Sequence, residues 1–201
     1  MNYLAMKDEA KEMDVEEIWK AIEPFKPQQK KKEFVELLQL MKLADIKSVL
    51  EIGYGSGGSH EAFLLLGLEV LSVTLPVEDL TIPSHHNVIE GNSTDKETVS
   101  LIKNISDDTS FDMVFIDGGH TYKCAKSDYD NYGYLANKMI VFDDMADSEY
   151  HRSKGKSCEV YKLWNELKES VGAGKQFKSS VEMVYKTADP RMHGGIGVIY
   201  K

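Results

Sequence analysis

The sequence predicts an α/β fold: a doubly wound, mostly parallel sheet with helices on both faces and an antiparallel hairpin at its C-terminal end. Three observations carry this. From Ser48 onward, short apolar runs alternate with longer amphipathic ones, and parallel neighbours need the crossover segments that such alternation supplies. The first apolar run passes directly into a turn with glycines at 53, 55, 57 and 58. The last two apolar runs, "SSVEMVYK" (179–186) and "GGIGVIYK" (194–201), are joined by a loop containing Pro190 and His193, the pattern of two strands that return on each other.

Taken in order, the chain opens with two helical periodicities. Residues 15–22 set Ile18, Trp19 and Ile22 on one stripe that stops near Pro24, and residues 28–43 bring Phe34, Leu37, Leu38 and Met41 together. Residues 1–44 are therefore expected to form a helical cap over the sheet or a substrate lid, and residues 45–201 one globular unit. "SVLEIG" (48–53), "VLSVTL" (70–75), "NVIEG" (87–91), "FDMVFID" (111–117) and "KMIVFDD" (138–144) read as strands. "GSHEAFLLLG" (58–67), "STDKETVSLIKNI" (93–105) and "TYKCAKSDYDNYGYL" (121–135) read as helices, the last packing its tyrosines 122, 129, 132 and 134 against the sheet. Residues 144–167 begin polar and turn helical near Cys158, with Val160, Leu163, Trp164 and Leu167 as the apolar stripe. Their front part holds His151, Arg152, Lys154 and Lys156, the composition of a loop closing over an anionic substrate or of an exposed linker.

Composition narrows the function. At 201 residues, 42% hydrophobic and 28% charged, the chain suits a single domain that buries its own core. With 24 basic against 33 acidic residues the formal charge is −9, which repels nucleic acid; the run of lysines at 30–32 reads as a solvated helix face. Cys124 and Cys158 do not make a disulfide framework, and neither belongs to a Cys-x-x-Cys pair that would suggest zinc or redox work, so a reducing setting is the plainer reading. The charged N-terminus lacks the apolar centre of a signal peptide, and no apolar run reaches the roughly 18 residues of a membrane span. A cytoplasmic protein with no membrane partner is expected; self-association is left open.

Polar residues recur at the carboxyl ends of the expected strands, where open α/β sheets hold ligands: Glu51, Thr74, Asn92, Asp117, and Asp143 with Asp144. The turn at 53–58 lets backbone N–H groups approach a ligand, and a helix starting near Ser59 points its positive end there. Gly53, Gly55 and Gly58 also fit the Gly-x-Gly-x-x-Gly pattern, so a nicotinamide cofactor, a non-catalytic nucleotide-binding module and a purely structural turn stay open. The bland readings are Asp117 as a turn former, Asp143 and Asp144 as caps, and His120 as a helix-start residue. His85 and His86 read as loop residues rather than ligands, and His60, His151 and His193 have no carboxylate partner visible in the sequence.

"VLEIGYGSGG" (49–58) resembles the first motif of class I S-adenosylmethionine-dependent methyltransferases, whose sheet is Rossmann-like. "FDMVFIDGGHTY" (111–122) with "KMIVFDDM" (138–145) is similar to the metal-dependent small-molecule O-methyltransferases, the branch of the macrocin and mycinamicin sugar enzymes, with cephalosporin-hydroxylase-like proteins and catechol O-methyltransferase as relatives. The likeness spans about residues 48–145 and leaves 1–44 uncovered. It implies a cofactor site of Glu51, Gly53, Tyr54, Gly55, Gly57, Gly58, Ser59, Thr74, Asn92 and Ser93. It also implies a divalent metal, Mg²⁺ being the expectation, on Asp117, Asp143 and Asp144, with His120 as general base and Asp117 beside it in catalysis. The acceptor would be a hydroxyl of a small molecule such as a sugar or natural-product scaffold. One position departs from the pattern: Thr74 stands where an acid usually binds the ribose, leaving Glu78 or Asp79 to reach back.

The chemistry accounts for these residue types. In-line methyl transfer gains from ordering acceptor and methyl, by about 7–11 kcal/mol in favourable cases. An alcohol is a poor nucleophile, so a hard cation held by carboxylates to lower its pKa and an imidazole to take its proton are useful additions. Gly118 and Gly119 are expected to keep the approach open.

Overall fold

A seven-stranded sheet organises the computed structural model, which describes residues 13–106, 110–146, 158–170, 179–184 and 194–201. The strands are β1 (Ser48–Ile52), β2 (Glu69–Thr74), β3 (Val88–Glu90), β4 (Phe111–Ile116), β5 (Ala136–Phe142), β6 (Ser179–Met183) and β7 (Ile196–Tyr200). Their order is β3-β2-β1-β4-β5-β7-β6; β1 to β5 run parallel, and β7 pairs antiparallel with both β5 and β6. The doubly wound sheet with its antiparallel finish is the architecture the alternation predicts. The basic segment with His151, Arg152, Lys154 and Lys156, and the connection with Pro190 and His193, lie outside the described residues.

Both faces of the sheet are covered, so its central strands read as unbroken apolar runs. Helices α1 (Val15–Ile22), α2 (Lys31–Leu43) and α3 (Gly58–Leu65) lie on one face. There Ile18, Phe34, Leu37, Leu38 and Phe63 pack on Val49, Met113, Phe115 and Val141. On the other face lie α4 (Lys96–Ser106), α5 (Tyr122–Tyr132) and α6 (Val160–Ser170). Ile102, Tyr132, Leu163 and Trp164 there meet the alternate strand residues Leu50, Ile52, Val114, Ile116 and Phe142. Tyr134, expected to pack inward, is instead exposed, because the chain leaves α5 through a 3₁₀ turn at Gly133–Leu135 that directs Leu135 inward. Among the described residues, no helix is long and apolar enough to cross a membrane.

Helix α2 starts at Lys31, three residues later than its periodicity suggests, because the backbone is extended at Lys30 (φ −75°, ψ 124°). Residues 27–30 thereby remain a strap running across the carboxyl end of the sheet. A buried carboxylate on the first turn of α2 ties this region to β7: Glu33 accepts from the backbone N–H of Gly195 at 2.8 Å and faces the Lys30 ammonium at 3.6 Å. Glu33→Ala leaves that N–H unpaired in a dry site, so a loss of about 1–3 kcal/mol is expected in urea unfolding.

Candidate functional site

The strand order reverses between β1 and β4, and the ladder continues past the end of each strand there. The N–H of Gly53 donates to Val73 O at 3.0 Å, that of Asp117 to Ile52 O at 2.8 Å, and that of Asp143 to Ile116 O at 3.1 Å. Three of the expected residues are thus set in a row by backbone bonds, at the position where open α/β sheets hold ligands. A cleft of about 160 Å³ opens over this row, lined by Gly53, Tyr54, Gly55, Gly58 and Ser59 on one side and by Asp117, Gly118 and His120 on the other, with Gln28 and Gln29 across it. Typical small-molecule pockets measure about 300–1,000 Å³, so this cleft accommodates part of a nucleoside-sized ligand.

The row is acidic and crowded. Asp117 lies well above the usual carboxylate range, first because burial disfavours its charge and then because Asp143, Asp144 and Glu51 repel it; Gln29 Nε2, donating to Asp117 Oδ2 at 2.6 Å, partly offsets this. Asp143, 6% exposed, is pushed up to about 8 by burial and by the Asp144 charge. Asp144 adopts left-handed backbone (φ 55°), which Asp tolerates better than most residues. Its Oδ2 lies 3.4 Å from His120 Nδ1, while His120 Nε2 lies 3.9 Å from Asp117 Oδ1. The His120 carbonyl accepts from the N–H of Glu159 at 2.7 Å, which holds the residue against the start of α6.

Among the described residues, two groups bring one donor atom from each of three side chains within 4.8 Å of one another: Glu61 with His85 and His86, and His120 with Asp144 and Cys158. Asp117, Asp143 and Asp144 do not form such a group. Cys158 adds little to the second: its thiol donates to Asp144 O at 3.0 Å and is pushed up to about 12, chiefly by burial, so it stays protonated. The raised carboxylates also set a pH dependence. A buried acid whose folded pKa exceeds its unfolded value stabilises the fold below about pH 4 and loses that contribution as pH rises through the folded pKa. For Asp143 that window runs from 3.8 to about 8. Metal-free protein is expected to lose roughly 1–3 kcal/mol between pH 5 and 8, since a tenfold change in proton affinity is worth about 1.4 kcal/mol; Asp143→Asn should flatten the slope in urea titrations at stepped pH.

The expected cofactor residues divide into two sets. Gly53, Tyr54, Gly55, Gly58 and Ser59 line the cleft. Gly55 has positive φ (54°) and nothing within 4 Å of where a Cβ would stand, so its backbone faces open space. Gly57 is closed from below instead, by the Tyr54 ring. Glu51 is fully buried, with one oxygen accepting from Ser59 Oγ and the other from Ser72 Oγ. Its carboxylate braces the first turn of α3 beneath the glycine turn. Thr74 and the Asn92–Ser93 pair stand at the ends of β2 and β3, outside the cleft; Asn92 Oδ1 accepts from Thr94 N at 3.1 Å, closing a turn ahead of α4. Glu78 and Asp79 are exposed. Gly118 and Gly119 do not simply leave space, contrary to expectation. A Cβ on Gly119 would lie 2.7 Å from Cys124 Cβ, and one on Gly118 would lie 3.1 Å from Asp128 Oδ2, so both glycines let α5 pack closely on the end of β4.

Two site residues had no signal in the sequence. Gln29 sits in a helical periodicity, and only the extended strap brings its amide to Asp117. Asp128 lies mid-helix in α5, fully buried beside Ser93 and Gly118; burial pushes it up to about 6, and the Ser93 side chain partly offsets this.

No protein-family model matches the chain, and no curated protein matches it in sequence. Solved structures share its fold. A Staphylococcus aureus protein assigned as a caffeoyl-CoA O-methyltransferase is 17% identical, with 99% of this chain and 97% of that one covered and a TM-score of 0.60. An O-methyltransferase from Bacillus cereus, solved with SAH, is 18% identical over 94% of this chain and 90% of that one, with a TM-score of 0.57. The methyltransferase MycE of the mycinamycin biosynthetic pathway, solved with Mg, SAH and mycinamycin VI, is 16% identical with a TM-score of 0.66; 93% of this chain is covered, but only 54% of MycE. At these identities the likeness establishes the fold alone, the Rossmann-like sheet that these proteins share.

Proposed function

We propose that this protein is an S-adenosylmethionine-dependent methyltransferase that methylates a hydroxyl of a small molecule with the help of a divalent cation. The observation that carries the reading is the placement of Asp117 and His120 across one cleft from a glycine turn with an open backbone face, with the Asp144 carboxylate beside His120. The shared fold with proteins solved with SAH and Mg supports it. The site also fits a cation: Asp117 and Asp143 are acids raised first by burial and then by neighbouring carboxylates, Asp143 and Asp144 acting on the one and Asp144 on the other, a cost that a positive ion relieves.

When bound, the cofactor supplies the methyl group and the cation lowers the pKa of the acceptor hydroxyl. Gly53, Tyr54, Gly55, Gly58 and Ser59, which line the cleft, would hold the methionine end of the cofactor, and Asn92 with Ser93 would serve its adenine side. Asp117, Asp143 and Asp144 would hold the cation, for which Asp117 would have to exchange its hydrogen bond from the Gln29 amide. His120 takes the hydroxyl proton, its ring oriented between the Asp117 and Asp144 carboxylates. The reading places the protein in the cytoplasm.

Calorimetry should detect binding of S-adenosylhomocysteine and none of NAD, and methylated product should form with magnesium and vanish on chelation. NAD binding without S-adenosylhomocysteine binding would reverse the assignment to an oxidoreductase; binding without turnover on any hydroxyl compound would leave a nucleotide-binding module. Gln29→Ala removes the group competing for Asp117, so Mg²⁺ is expected to bind roughly 5–10-fold more tightly, the equivalent of about 1–1.4 kcal/mol, the net worth of one hydrogen bond.

A further inference from the structure

Behind the glycine turn, on the side of α3 away from Asp117, three metal-ligating side chains meet. Glu61 Oε2 lies 3.0 Å from His85 Nε2 and 2.7 Å from His86 Nε2. Successive side chains on a strand point to opposite faces, but His85 and His86 sit in a turn closed by the His86 N–H donating to Pro83 O at 2.9 Å. Their ring centroids are therefore only 4.5 Å apart, and both Nε2 atoms face one carboxylate oxygen.

We propose that Glu61, His85 and His86 form a zinc site, distinct from the carboxylate row at the ends of β4 and β5. Two imidazoles and a carboxylate are the donor set of a borderline-soft ion with an open fourth position, not of Mg²⁺, which takes oxygen ligands. The spacing suits it. With Zn–N and Zn–O bonds near 2.0–2.1 Å, ligand atoms of a tetrahedral ion lie about 3.3 Å apart, so the existing 2.7 and 3.0 Å contacts need to open by only a few tenths of an ångström. For ligation through Nε2 the ring proton must sit on Nδ1, and the Tyr54 hydroxyl oxygen stands 2.8 Å from His86 Nδ1 to accept it. The buried His60 ring stacks on His86 at 4.3 Å, which fixes the plane of the ligating imidazole. His85 is the outer ligand, with its side chain 44% exposed, and leaves the fourth position to water. A bound ion pins the segment after β2 to α3 and fixes Tyr54 under Gly57.

The test uses the full chain stripped with EDTA, Zn²⁺ titrated against a chromophoric chelator, and Co²⁺ as the spectroscopic probe. With Mg²⁺ in excess to fill the carboxylate row, the expected result is one equivalent of Co²⁺ with tetrahedral visible bands and no thiolate charge-transfer band. His85→Ala and Glu61→Gln should weaken Zn²⁺ binding at least about 100-fold, beyond the roughly 10–100-fold cost of an outer partner, while Cys158→Ser and Asp144→Asn leave it unchanged. Circular dichroism verifies that the variants fold, and His85→Gln replaces His85→Ala if the latter does not. Equal affinity in wild type and the folded position-85 variant, a thiolate band, or no Zn²⁺ held against the chelator would each overturn the assignment.

Discussion

Alanine at position 120 is expected to lower methyl transfer about 100- to 10,000-fold, the range supplied by a positioned proton acceptor, while S-adenosylhomocysteine affinity stays within about twofold. The fold should survive the change, because the imidazole is 39% exposed and faces two carboxylates at 3.9 and 3.4 Å. The backbone bond from Glu159 to the His120 carbonyl persists in the variant. His120→Gln separates two roles. Glutamine can hydrogen-bond a hydroxyl but cannot take its proton, so a positioning residue would be rescued by it and a base would not. Single-turnover rates with and without Mg²⁺ measure this; full activity in His120→Ala would move the proton to one of the raised aspartates.

What the sequence makes legible here is periodicity and punctuation. Strand ends, the glycine turn and the acids that follow each apolar run can be located because each is a local pattern, and the hydrogen-bonded row of Gly53, Asp117 and Asp143 follows from parallel register once the strands are placed. Partnerships across long separations are not local. Glu51 occupies the expected place, but its oxygens are taken by Ser59 and by Ser72 from the neighbouring strand. Gln29 reaches Asp117 only because α2 starts late, and propensity does not encode that delay. His85 and His86 look like loop residues until the turn at Pro83 brings them to Glu61 on another element. Gly118 and Gly119 mislead in the opposite direction: glycine next to an acid suggests an open approach, and the space is filled by α5.

Gly53→Ala is expected to be the most damaging single-methyl change in the site, costing roughly 2–5 kcal/mol. At φ 104°, a non-glycine residue is strained whatever surrounds it, a penalty of about 1–2 kcal/mol. The larger part is steric. The new Cβ would lie 2.0 Å from Asp117 O, 2.5 Å from Asp117 C and 2.9 Å from Gly118 N, all backbone atoms that cannot rotate away as a side chain would. Overpacking of this kind adds about 1–3 kcal/mol, and relief requires β1 and β4 to separate where Ile52 O accepts from the Asp117 N–H. Any fraction that folds therefore carries a displaced Asp117. The change is expected to shift the urea midpoint strongly and, in that folded fraction, to weaken Mg²⁺ and cofactor together. Gly55→Ala is the control: its φ of 54° carries the strain, but nothing lies within 4 Å of the added methyl, so a loss nearer 1 kcal/mol is expected. Equal stability of the two variants would mean that β1 and β4 are not in contact at Gly53, and the close approach of the glycine turn to Asp117 would fall with it.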